Sequence, residues 1–176
     1  DETESGRQAL QLVADAKTII AELTQVPEYR PKAVCALLPA NRDGDDICIY
    51  EDEDRTSVRA VIHTLRQQIP RPKSRANLAL ADYLAPAGTA DWVGLFAVTA
   101  GSGLAPLVAE AEAEGDDYRA IMLKAVADRL AEALAERLHE RVRREFWGYA
   151  VDEEFDNEAL IAEAYRGIRP APGYPA

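Results

Sequence analysis

The sequence predicts an α+β fold, on three observations. Apolar residues recur at helical spacing near both ends, over residues 6–23 and 118–146. Between them lie two short β-rich runs, Ala33 to Leu38 and Ile47 to Tyr50, joined by a polar loop in the manner of a hairpin. No regular alternation of strand and helix surrounds the glycine turn at 101–103, so a doubly wound parallel sheet is not indicated. At 176 residues the chain suits one domain with room for a core, and its 48% hydrophobic content fits a folded protein.

Taken in order, Ala9, Leu12, Val13, Ala16, Ile19, Ile20 and Leu23 form the apolar face of a helix from Gly6 to Leu23 that ends before Pro27. The hairpin turn is Asn41 to Asp46, around Gly44. Its acids Asp43, Asp45 and Asp46 lack the spaced ligands and closing Glu of a calcium loop, so they read as a solvated turn. From Arg55 to Ile69, the residues Val58, Val61, Ile62, Leu65 and Ile69 share one helical face and meet Pro70 and Pro72. A second helix is predicted there, its start left open by β-branched Thr56 and Val58. Asn77 to Tyr83 fits either a strand or a short helix. Trp92 to Thr99, rich in β-branched and aromatic residues, predicts a buried strand.

Gly101-Ser102-Gly103 then turns the chain into a short helix, Leu104 to Glu114, stopped by Gly115. Position 106 is Pro where a dinucleotide fingerprint needs Gly, so the turn reads as an ordinary tight turn rather than an anion cradle. Asp116 and Asp117 open the longest element, a helix from Tyr118 to Phe146 with Ile121, Ala125, Val126, Leu130, Leu134, Leu138 and Val142 inward. Its acidic start and the late Arg141, Arg143 and Arg144 favour the helix dipole. Trp147-Gly148-Tyr149 ends it, Asp156 or Asn157 caps a short helix to Ala164, and Gly167 releases the chain into a loop.

Charge and motifs exclude several functions. A formal charge of −11 argues against a general nucleic-acid binder. No apolar run reaches bilayer length and Asp1-Glu2-Thr3-Glu4 is unlike a signal peptide, so a cytoplasmic protein without membrane partners is expected. Cys35 and Cys48, without C-x-x-C spacing, read as reduced, buried thiols. His63 and His139 stand alone, and Arg143 occupies the position where His139-Glu140 would need a second histidine, so no metal site is predicted.

Two groups of residues carry candidate chemistry. Asp128, Glu132 and Glu136, four apart, line one stripe of the long helix. They form either a solvated face balanced by Arg129 and Arg137 or carboxylates for acid/base work and the ordering of water. The loop Gly167 to Pro175 holds three prolines and two glycines, which exclude regular structure. Arg169 offers a donor fork for a carboxylate or phosphate, Ala171 leaves its backbone open to a flat ligand, and Tyr174 brings an amphipathic ring. The alternative is an extended tail that caps a helix and packs one tyrosine.

The blocks GIRPAPGYPA at the end, DDYRAIMLKAVADRLAEALAERLHERVRREFWGYA at 116–150, RPKAVCALLPANRDGDDICIYEDEDRT at 30–56 and ADWVGLFAVTAGSG at 90–103 closely resemble the activation domain of cobalamin-dependent methionine synthase. They occur in the family's order and cover most of the chain. The resemblance implies a twisted, largely antiparallel sheet with packed helices and a cofactor groove at the surface. It implies S-adenosylmethionine as cofactor, with Arg169 on its carboxylate, the backbone of Ala171 at the adenine, and Tyr174 near the methyl group and the corrin edge. Acids matching Asp128 and Glu132 face the corrin in that family and hold water near the cobalt; Glu136 is not carried over.

The implied role is reductive methylation of oxidised cobalamin held by a neighbouring module, with an electron from reduced flavodoxin or an equivalent donor. Docking an acidic flavodoxin on this acidic chain would require Arg141, Arg143 and Arg144 to form a basic patch. The family's domain begins further upstream, with an acidic residue that contacts S-adenosylmethionine, and continues past the position of Ala176. Residues 1–176 are therefore expected to lack both extensions and to be inactive alone. A second reading is a non-catalytic module of the same fold that docks a corrinoid protein or electron donor without binding S-adenosylmethionine.

Overall fold

A computed structural model describes residues 4–70, 72 and 75–170. The chain divides into two compact units, residues 1–34 with 97–140, and residues 35–96 with 141–176.

The first unit is helical. Helices α1 (Glu4–Gln25), α2 (Leu104–Ala113) and α3 (Asp117–Arg141) share one core. It is made by Ile19 and Leu23 of α1, Tyr29, Val108 and Ala111 of α2, and Ala120, Met122, Leu123 and Val126 of α3. A fully buried side chain such as Leu123 contributes roughly 1.5–3 kcal/mol. All three helices were expected, but their inner faces were not all read correctly. Leu12, Val13 and Ile20 of α1 are exposed, and Ile121 of α3 is 64% exposed. The inner face of α3 is carried by the alanines Ala120, Ala127 and Ala135 together with larger neighbours. Val126, Leu138 and Val142 are buried as read, whereas Ile121 and Ala125 are exposed.

The turn Gly101-Ser102-Gly103 is a packing device. A Cβ on Gly103 would stand 2.6 Å from the backbone of Glu28 and Tyr29, and one on Gly101 would stand 3.0 Å from that of Arg30 and Pro31. Backbone is pressed against backbone, in keeping with the tight-turn reading.

The second unit is built on a four-stranded sheet, β1 (Lys32–Asp43), β2 (Asp46–Tyr50), β3 (Val58–His63) and β4 (Trp92–Thr99), in the order β3-β2-β1-β4. β1 and β2 form the predicted antiparallel hairpin, closing at Asp43↔Asp46. The α+β class and the antiparallel sheet are as expected. Ala40, Ile47, Ile49 and Ala81 form its core, flanked by Leu38, Ile62, Leu84 and Val93.

The helix predicted over 55–69 does not form. β3 pairs antiparallel with β2, setting Ile62 opposite Ile47 and Val61 opposite Cys48. Valine and isoleucine lose little on a pleated strand, and the free edge of β2 supplies hydrogen bonds that an isolated helix could not match. β4 forms, yet no residue in it is fully buried, so the expectation of a buried strand is corrected. Both cysteines are free and half-buried, not buried. Burial first, then Asp43 and Asp46, pushes the Cys48 thiol up from its ordinary value.

Polar knots hold the loops to this sheet. Buried Asn41 donates through Nδ2 to the carbonyls of Ala85, Pro86 and Thr89, at 3.1, 3.1 and 2.7 Å. Arg55 donates to the carbonyl of Asp91 at 2.9 Å and lies over the Trp92 ring. The segment 77–83 resolves as a 3-10 turn, Leu80–Tyr83, whose Asp82 accepts a forked pair of bonds from Arg66 at 2.6 and 2.9 Å. Arg66 also binds Asp45, so that hairpin acid is ion-paired rather than merely solvated. Among the described helices, none is long and apolar enough to cross a membrane.

The bonds from Arg66, then the Ala79 N–H, hold the Asp82 carboxyl well below the usual carboxylate range. A lowered folded pKa stabilises fully above the unfolded value, about 3.9, and the gain is lost as pH falls from there towards the depressed value. Asp82→Asn is expected to lower the urea midpoint at neutral pH and to flatten its fall on acidification below about pH 4. Midpoints measured from pH 7 down to pH 2 check this.

Candidate functional site

The end of α3 sets up the C-terminal segment. Its helix passes into a π-helical turn, Val142–Phe146, in which the Trp147 N–H reaches the Val142 carbonyl at 2.9 Å. Such turns rotate the following side chains relative to a regular helix. Arg143, fully buried, donates through Nε to both carboxylate oxygens of Glu153, at 3.0 and 2.8 Å, and through Nη2 to Oε1. Its guanidinium carbon lies 4.3 Å from the centre of the Tyr165 ring. One cation thus ties the helix end to two later points of the chain.

Two of the three arginines that a basic patch would need are therefore engaged within the chain. Arg143 is interior, and Arg141 donates to Glu145 at 2.9 Å and lies over Phe146. A guanidinium leaves water only with an acid to hold it, which Glu153 supplies.

Beyond Glu153 the Asp156 carboxylate accepts from the Ala159 N–H at 2.8 Å and caps α4 (Asn157–Ile161), which is shorter than the predicted run to Ala164. The chain then turns at Glu163 (φ 52°) and Gly167 (φ 98°). Tyr149 holds the second turn, since its hydroxyl donates to the Arg166 carbonyl at 3.2 Å. The Tyr149 ring meets Trp147 edge-on at 5.3 Å and lies under the Arg166 guanidinium. Arg169 stands two residues after Gly167 and is half-buried. Ala171 and Tyr174 lie outside the described residues.

The other predicted residues are in the first unit. Asp128 and Glu132 are placed on one stripe of α3, Asp128 exposed and Glu132 bound by Arg129 at 2.9 Å. Glu136, next on the stripe, is less open to solvent than Asp128. The carboxylates of Asp128 and Glu132 therefore reach solvent and can accept hydrogen bonds from water. His139 is buried, while His63 is exposed beside Asp46 at 3.0 Å. Among the described residues, no group of three or more His, Cys, Asp and Glu side chains is placed to hold a metal ion.

Sequence reasoning missed Glu153, Tyr165 and Tyr149. One signal was present: Arg143 stands four residues after His139 and one after Val142, on the inward side of the helix. A cation there demands a buried acid.

The model of the family described as "Vitamin B12 dependent methionine synthase, activation domain" matches residues 1–176. A solved structure described as the MetH reactivation domain bound to AdoHcy is similar at a TM-score of 0.92 and 52% identity. The match covers 99% of this chain and 54% of that one, so the chain spans about half the length of the solved relative.

Glu153→Ala strips Arg143 of the acid that holds its fork. The expected loss of unfolding free energy is about 3–5 kcal/mol, as for other broken buried pairs. Urea denaturation measures it, and the double replacement Arg143→Met with Glu153→Leu is expected to recover most of the loss.

Proposed function

Because the chain belongs to the activation-domain family of vitamin B12 dependent methionine synthase, we propose that it binds S-adenosylmethionine and presents the methyl group to cobalamin carried by a neighbouring module of the same enzyme. The observation that carries this reading is its close likeness to a reactivation domain that holds AdoHcy, the species left when S-adenosylmethionine has given up its methyl group.

The chemistry of the residues fits such a ligand. Arg169, half-buried on a segment tied down through Arg143 and Tyr149, grips the amino-acid carboxylate with its planar fork. The backbone at Ala171, between two prolines, bonds the adenine with little ordering cost. Tyr174 turns its ring to the sulfonium and to the corrin edge. S-adenosylmethionine supplies an activated methyl group and cobalamin supplies the metal centre that accepts it. The side chains bind and orient, and no side-chain base is called for.

Asp128 and Glu132 accept hydrogen bonds from water ordered near the cobalt when the cobalamin module is docked. For this, Glu132 exchanges Arg129 for water, an exchange that costs little because exposed pairs are worth about 0–1 kcal/mol. Reduced flavodoxin or an equivalent protein donates the electron. The whole enzyme is a 5-methyltetrahydrofolate–homocysteine methyltransferase of the cytoplasm, with homocysteine and folate handled by other modules.

Arg169→Ala is expected to weaken AdoHcy binding by about 1.5–3 kcal/mol, the range for hydrogen bonds to a charged group. Calorimetry on the full-length protein checks this, and unchanged affinity would remove Arg169 from the site. Glu132→Gln and Asp128→Asn are expected to leave that affinity unchanged. Each should slow reductive methylation by about tenfold, equivalent to about 1.4 kcal/mol in the barrier. Single-turnover formation of methylcobalamin measures it.

A further inference from the structure

We propose that Tyr149 is a positioning residue for the S-adenosylmethionine site, acting through the Arg166–Gly167 turn on Arg169; this rests on the role given to Arg169 above. Three contacts converge on one phenol. Its hydroxyl donates to the Arg166 carbonyl at 3.2 Å, across 17 residues of chain. Its ring is fixed edge-on by Trp147, with centroids 5.3 Å apart at 86°. The third contact is the Arg166 guanidinium, 5.9 Å from the ring centre.

Gly167 sits directly against it. A Cβ on that glycine would meet the Tyr149 oxygen at 3.3 Å, and φ of 98° already disfavours any other residue. The turn is therefore set from outside by an aromatic group rather than by its own helix, since α4 ends at Ile161. Only Ile168 separates Gly167 from Arg169, and Pro170 comes directly after. A rotation at Gly167 moves the whole of this short, stiff stretch, so the direction of the Arg169 backbone depends on the phenol. Desolvation raises the Tyr149 pKa, which keeps the hydroxyl a donor at neutral pH.

The test is a cycle on the full-length protein read by AdoHcy affinity. Tyr149→Phe keeps the ring contacts and removes only the bond to the Arg166 carbonyl. It is expected to weaken AdoHcy binding about three- to tenfold in an otherwise native protein, the scale of one hydrogen bond. In an Arg169→Ala background the same change should cost clearly less, because one of the groups that the turn aims is gone. Gly167→Ala should reproduce the loss and should likewise cost less once Arg169 is removed. If Arg169→Ala weakens binding and Tyr149→Phe does not, the positioning role is overturned while the site stands. If Tyr149→Phe costs the same in both backgrounds, Tyr149 does not act through Arg169 and the proposal is overturned. If Arg169→Ala leaves affinity unchanged, the reading of Arg169 falls first and this inference falls with it.

Discussion

The buried pair of Arg143 and Glu153 is the constraint on which the C-terminal segment depends. Taking both charges from water costs several kcal/mol per ion, and three hydrogen bonds plus the Tyr165 ring must offset it. An apolar trio of equal volume would hold the chain about as firmly. What the guanidinium adds is orientation, because its planar fork accepts the carboxylate in one alignment and its face accepts the ring in another. Residues 143, 153 and 165 are thereby fixed to a common point, and the stretch that carries Arg169 begins two residues beyond the last of them.

The same use of cations recurs through the second unit. Arg55 caps the carbonyl of Asp91, Arg66 joins Asp45 to Asp82, and Arg141 is taken up by Glu145. Arg55 and Arg66 in this way hold loops of the second unit in place.

Legibility in the sequence tracked the range of the interactions. The hairpin and the helix after Gly103 were readable because turn residues and period agree locally, as was the Asp156 cap. The stretch 55–69 was misread because Val58, Ile62, Leu65 and Ile69 satisfy a helical period, whereas the deciding partner, β2, lies elsewhere in the chain. On α3 the inward Val126, Leu130 and Leu138 were legible, and the buried Ala120, Ala127 and Ala135 were not. Arg143 was weighed by its charge when its inward position was the informative fact. Of the segment that carries Arg169, the turn at Gly167 was legible. The supports Glu153 and Tyr149 were not, since they act across 10 and 17 residues of chain.

These supports explain how a loop can be held in one direction at its root. A segment of glycine and proline has no internal ladder of hydrogen bonds, so its shape must be imposed by contacts at its root. Proline stiffens the chain beyond the turn but does not choose its direction. At Gly167 the direction is chosen by the phenol of Tyr149, and Tyr149 is itself held just past a π-helical turn whose Arg143 is locked in the interior. Order therefore runs from the buried ion pair to the aromatic group and then to the turn. Arg169 stands two residues beyond that turn.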